Sequence, residues 1–111
     1  MANHDPALNA LFHALSDPSR RLILTRLMAG PAPVSKLAEP LDMALPTVLQ
    51  HLAKLEAGGL IRSEKRGRTR ICTANPQALA DAAGWIADLR ADWTARLDRL
   101  EDFLDEDGDS P

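Results

Sequence analysis

Residues 34–76 read VSKLAEPLDMALPTVLQHLAKLEAGGLIRSEKRGRTRICTANP, and the order of signals in this stretch decides the fold. Val34–Leu41 has the make-up of a short helix, with Pro40 placed to end it or distort its last turn. Asp42-Met43-Ala44 is a turn. A second helix follows from Leu45 to Ala57, with Pro46 in its first turn and Gly58-Gly59 as its stop. The character then changes. Leu60–Arg66 and Thr69–Ala74 are short, alternating and rich in β-branched residues, and Gly67-Arg68 separates them, which predicts a β-hairpin with a basic tip. Two helices across a tight turn make a helix-turn-helix, and the hairpin is placed to be its wing.

The flanks extend this pattern. Asp5-Pro6 and Asp17-Pro18 are both helix starts, a capping carboxylate followed by proline where its missing N–H costs nothing. Leu8, Leu11, Phe12 and Leu15 share one face of the first helix. Leu22, Ile23, Leu27 and Met28 mark the second, which Gly30 and Pro31 stop. Pro31-Ala32-Pro33 reads as a connector. Asn75-Pro76 opens a long last helix, with a break expected near Gly84. Its stripe of Ala82, Ile86, Leu89, Trp93, Leu97, Leu100 and Leu104 has the 4-3 spacing of helix-on-helix packing. The expected fold class is mostly α with a β-hairpin wing, in the order α1-α2-α3-α4-β-hairpin-α5, and dimeric. Residues 1–104 are expected to form one DNA-binding and dimerisation domain, and 105–111 an acidic, disordered tail.

Composition narrows the function classes. The chain has 111 residues and a single cysteine, Cys72, which excludes an intramolecular disulfide and any multi-cysteine zinc site. No apolar run approaches the length of a membrane span, and residues 1–5 lack the basic character of a targeting segment, so a cytoplasmic location is expected. The net charge of −3 hides an asymmetry. Residues 1–75 hold 10 Lys/Arg against 6 Asp/Glu, whereas residues 76–111 hold 3 against 10. Arg62, Lys65, Arg66, Arg68 and Arg70 crowd into twelve residues of the hairpin, with only Glu64 opposing them. A local field of that sign attracts phosphate even on an acidic chain.

The helix from Leu45 to Ala57 supplies base-reading chemistry. Leu45, Val48, Leu52 and Leu55 fall in one arc and are assigned to the core. Gln50 lies nearly opposite, flanked by Thr47 and Lys54, with Leu49 and His51 at the borders. Glutamine can pair bidentately with adenine, threonine or leucine can touch a thymine methyl, and lysine can reach phosphate or guanine. On an isolated helix this would be only a solvated face. Between a helix-turn and a basic hairpin it reads as a DNA contact surface. His51 has a blander alternative, a hydrogen bond to nearby backbone. Metal ligation is disfavoured there because His4 and His13 are distant in sequence.

The segments ALSDPSRRLILTRL (14–27), VSKLAEPLDMALPTVLQHLAKLEAGGLI (34–61) and RSEKRGRTRICTANP (62–76) resemble winged-helix repressors of the arsenical-resistance-repressor (ArsR) family. The resemblance runs from about Leu8 to Leu104 and is most specific from Pro46 to Leu60. WIADLRADWTARLDRLEDFL (85–104) is similar to one subgroup, often encoded beside a gene for a hydrophobic-ligand-binding protein. The resemblance implies a homodimer that represses its own operon, and a DNA-contacting place for His51. Several departures from the family pattern matter. Val34–Leu41 lacks the Cys-x-Cys pair of metal-sensing members. Asp81, Asp88 and Asp92 on the last helix have no histidine beside them, and redox-sensing members need two thiols. This places the chain in a subgroup without the metal-binding motifs and with no cofactor. Ala44 replaces the usual capping Ser or Thr, and Leu49 stands where many members have Ser.

The expected DNA-binding residues are therefore Thr47, Leu49, Gln50, His51 and Lys54 on the helix, with Arg62, Lys65, Arg66, Arg68 and Arg70 on the wing. The expected dimer interface is Leu8, Leu11, Phe12, Leu15, Ile86, Leu89, Trp93, Leu97, Leu100 and Leu104. The function read from them is a sequence-specific DNA-binding repressor on an inverted-repeat operator. A winged-helix protein-interaction module that binds no DNA is the alternative, but it has no need of five wing cations. No nucleophile–base pair or phosphate loop suggests an enzyme. Trp85 and Trp93 are expected in the interface core, the alternative being the lining of a pocket for a small-molecule effector.

Overall fold

The structure, a computed structural model, describes residues 5–108, with side chains through Asp105. Its elements are α1 (Pro6–Leu15), α2 (Pro18–Met28), β1 (Ala32–Pro33), α3 (Val34–Ala38), α4 (Leu45–Ala57), β2 (Ile61–Arg66), β3 (Thr69–Ala74) and α5 (Pro76–Gly108). This is a winged helix-turn-helix. Among the described residues, no helix is long and apolar enough to cross a membrane.

Local chemistry accounts for most of the boundaries. The Asp5 carboxylate accepts the N–H groups of Ala7 and Leu8, and Asp17 accepts those of Ser19 and Arg20. Both prolines sit in the first turn, as expected. Partial desolvation pushes the Asp17 carboxyl up, but the two N–H bonds, with His51 and Arg20 nearby, outweigh it and hold it below the usual range. Arg20 and Arg21 turn back onto the end of α1. Arg20 donates to the carbonyls of Ala14 and His13, and Arg21 to that of Leu15. Cations on the last carbonyls of a helix also suit its dipole. These two arginines belong to the basic half of the sequence, yet their work is to join α1 to α2.

Three expectations change. The helix after the connector ends at Ala38, not Leu41: Glu39 keeps helical dihedrals, but Pro40 has no N–H with which to continue the hydrogen-bond ladder. Pro31-Ala32-Pro33 is more than a connector: Ala32 and Pro33 pair antiparallel with Cys72 and Ile71, giving a three-stranded sheet in the order β1-β3-β2. Proline is tolerated there because β1 is an edge strand. The last helix is continuous through Gly84 and runs past the boundary expected at Leu104 to Gly108, since no glycine or proline interrupts residues 85–107. Asp109–Pro111, the rest of the expected tail, lie outside the described residues.

The chain divides into two units after Leu79. The first has an aliphatic core: Leu11, Ala14, Ile23, Leu24, Leu27, Leu37, Val48, Leu52, Leu55, Leu60 and Ile61 are all buried. Gly58 lets the end of α4 lie against α1. A Cβ there would come within 3.0 Å of the Ala10 carbonyl oxygen and 3.1 Å of the Ala14 Cβ. Asn75 closes the unit: its N–H donates to the Leu60 carbonyl, its side-chain amide donates to the Gly59 carbonyl, and its Oδ1 accepts the Gln77 N–H.

The second unit is helix α5 from Ala80 onward. Ile86, Leu89, Trp93, Leu97, Leu100 and Leu104 are each about half exposed along it. Leu11, expected in the dimer interface, is only 4% exposed and belongs to the core of its own chain. The helical period that grouped it with Leu8, Phe12 and Leu15 is satisfied by packing of α1 on α4.

Candidate nucleic-acid interface

Helix α4 has no side-chain cap, because Ala44 occupies the capping position. Pro46 in the first turn partly compensates, since its fixed φ suits the helix. Val48, Leu52 and Leu55 anchor α4 in the core. Thr47, Leu49, Gln50 and Lys54 are exposed, and His51 is half buried. The His51 Nδ1 is buried and has no hydrogen-bond partner, so the bland alternative of a backbone bond through that atom does not hold. Leu45 departs from its assignment. It is 54% exposed, because the buried face of α4 begins only at Val48, one turn further in.

The wing is a two-residue hairpin in which Arg66 pairs with Thr69. Gly67 takes a positive φ of 64° at the first loop position, the hand that keeps such a tight loop in step with the twist of its strands. The period of two divides the cations between faces. Ile61, Ser63 and Lys65 share one face with Ala74, Cys72 and Arg70, by the pairs Ile61–Ala74, Ser63–Cys72 and Lys65–Arg70. Arg62, Glu64 and Arg66 are on the other face, and Arg68 is in the loop. All five cations are exposed. Arg66 lies 3.5 Å from Glu64, an exposed pair that solvent weakens, so its charge remains available to an outside anion.

A short chain of polar bonds ties the wing to α4. Ser63 Oγ donates to Glu56 Oε1 at 2.7 Å, and Arg70 Nη1 donates to Ser63 Oγ at 3.2 Å. The sequence pattern does not foretell this network. Ser63 and Arg70 are diagonal neighbours across the hairpin, and Glu56 comes from a separate element. Arg70 therefore has a positioning contact besides its exposed charge. Cys72 lies beneath, fully buried. Burial and the nearby Glu56 push its thiol up, outweighing Arg70, which fits packing and not thiolate chemistry. Among the described residues, no three His, Cys, Asp or Glu side chains gather as a metal site would require.

Two shallow clefts open between α4 and the wing. One, of about 350 Å³, has Val34, Leu45 and Leu49 on one side and Arg68, Thr69 and Arg70 on the other. The second, of about 360 Å³, continues along Leu49, Leu52 and Ala53 toward Glu56, Ser63 and Cys72.

A model described as a helix-turn-helix domain matches residues 15–64. The HTH-type transcriptional regulator Rv2034 of Mycobacterium tuberculosis is 35% identical over 98 residues, covering 88% of this chain and 89% of that protein. The transcriptional repressor SdpR of Bacillus subtilis is 30% identical over 79 residues, covering 71% of this chain and 88% of its own length. Among solved structures, an ArsR family transcriptional regulator, RHA00566, superposes with a TM-score of 0.76 at 44% identity, covering 79% of this chain and 97% of that one.

Proposed function

Because the chain belongs to the ArsR family of helix-turn-helix transcriptional regulators, DNA-binding proteins and not enzymes, we propose that it acts as a homodimeric repressor on an inverted-repeat operator. Helix α4 enters the major groove, with Thr47, Gln50 and Lys54 toward the bases, Leu49 and His51 beside them, and the wing on the flanking backbone. The observation that carries this reading is the division of α4: a buried side of Val48, Leu52 and Leu55, and an exposed polar side beside five exposed wing cations. The first 104 residues carry both DNA binding and dimerisation. The partner surface is the apolar side of α5, with Leu8, Phe12 and Leu15 of α1 contributing.

The test is the salt dependence of DNA affinity. Replacing Arg66 or Arg68 by alanine should weaken binding to every sequence and lower the slope of log K against log salt by roughly 0.9 for each phosphate that the variant no longer neutralises. Tight binding with an unchanged slope would remove the wing from the DNA.

The chain falls in a subgroup that does not sense metal. No Cys-x-Cys lies in Val34–Ala38, and none of Asp81, Asp88 and Asp92 has a histidine near it in sequence. Zinc, nickel or arsenite should leave operator affinity within about two-fold of its starting value, well under the roughly 5–150-fold typical of allosteric coupling. A larger change, reversed by a chelator, would expose a site that these motifs do not describe.

A further inference from the structure

The exposed leucines of α4 are on the flank that faces the wing. Leu45 and Leu49 are one turn apart, 54% and 44% exposed, and Ala53 continues the line one turn further. Both are large apolar side chains in the first turns of the helix, and neither contributes to the buried core. Both line the cleft whose opposite wall holds Thr69, Arg68 and Arg70. The surface there is an apolar floor under a cationic rim, which no free peptide or lipid is needed to explain. In the major groove, the apolar group that a base edge presents is the C5-methyl of thymine, and it lies beside a phosphate backbone that a cationic rim would hold.

We propose that Leu45 and Leu49 form a thymine-methyl subsite, so that each operator half-site carries thymines specified by apolar contact and not by hydrogen bonds. The inference rests on α4 being the recognition helix and adds what this flank of it reads. The two leucines divide the labour with Gln50: the amide selects a base by its donor and acceptor pattern, and the leucines select for methyl groups on the side of the groove nearest the wing. Leu45 in the first turn reaches the base pair further toward the wing loop, and Leu49 the next one inward.

The experiment first selects bound sites from a random pool of duplex DNA with the full-length protein. Thymines that recur in each half-site are then replaced singly by uracil, which removes the methyl and keeps the pairing. Each replacement should weaken binding roughly four-fold, the counterpart of about 0.8 kcal/mol for one buried methyl-sized group. Replacing the same thymine in both half-sites should weaken it roughly fifteen-fold, since separated positions add. In Leu45→Ala or Leu49→Ala protein the uracil penalty at the corresponding position should disappear. Both residues are exposed, so neither change threatens folding. The proposal is overturned if no thymine recurs, or if uracil is tolerated within about 1.5-fold at every position while Gln50→Ala still lowers operator affinity selectively; α4 then reads DNA without this subsite. If Gln50→Ala also fails to act selectively, the recognition-helix reading itself falls, a distinguishable result.

Discussion

A Leu97→Glu chain is expected to sediment as a monomer at micromolar concentrations where the parent is expected to be a dimer. Ile86, Leu89, Trp93, Leu97, Leu100 and Leu104 repeat at steps of three and four along a 33-residue helix, and each is between 49% and 61% exposed in the single chain. Monomeric proteins rarely leave so continuous an apolar stripe in water. Two copies in a two-fold arrangement would bury it, and two glutamates would then have to leave water. At several kcal/mol for each ion, the dissociation constant of such a dimer should rise roughly a thousand-fold or more. DNA affinity should follow, because a monomer presents one recognition helix to one half-site. Specific binding ordinarily exceeds non-specific binding by about a thousand-fold or more, and much of that margin should vanish. Ala91→Glu, on the opposite side of α5 by the helical period, adds the same charge and should leave the dimer intact. A parent chain that sediments as a monomer would sink the proposal.

The features legible in the sequence are those decided within a few residues. Asp5-Pro6 and Asp17-Pro18 mark helix starts because their carboxylates bond N–H groups two and three positions on. The hairpin is readable from Gly67 for the same reason, since a two-residue loop with a left-handed first position is a local requirement. The resemblance in residues 46–60 supplies the order of the whole. What stays hidden is decided at a distance. Ala32-Pro33 becomes a strand only by pairing with residues near Cys72. Periodicity gives the direction of a side chain and not what covers it. It puts Leu45 with Val48 although the core stops short of the first turn of α4, and it puts Leu11 with Phe12 although Leu11 is consumed by its own chain. The Glu56–Ser63–Arg70 network joins three elements and has no sequence signature. The cations fare better, because an exposed charge needs no partner to be foreseen.

The sharpest test of the site concerns Gln50. It lies mid-helix, exposed, on the side of α4 away from Val48, Leu52 and Leu55. A glutamine in that place can donate to and accept from one adenine edge, and a bidentate contact discriminates against a wrong base by about 1–3 kcal/mol. A dimer would carry two copies, so Gln50→Ala should cost roughly 2–6 kcal/mol on a selected inverted repeat, about thirty-fold to twenty-thousand-fold in affinity. Random DNA should bind almost as before, because its affinity comes from phosphates that Gln50 does not neutralise. The contrast with the wing is the informative part. Arg66→Ala and Arg68→Ala should weaken both DNAs in proportion and flatten the salt dependence, whereas Gln50→Ala should leave the salt slope alone and lower only the specific constant. The two classes of residue are on different elements, so their effects should add within a few tenths of a kcal/mol in the combined variant. If Gln50→Ala weakens operator and random DNA equally, the exposed face of α4 is contributing charge and shape alone, and base reading must be sought elsewhere on the chain.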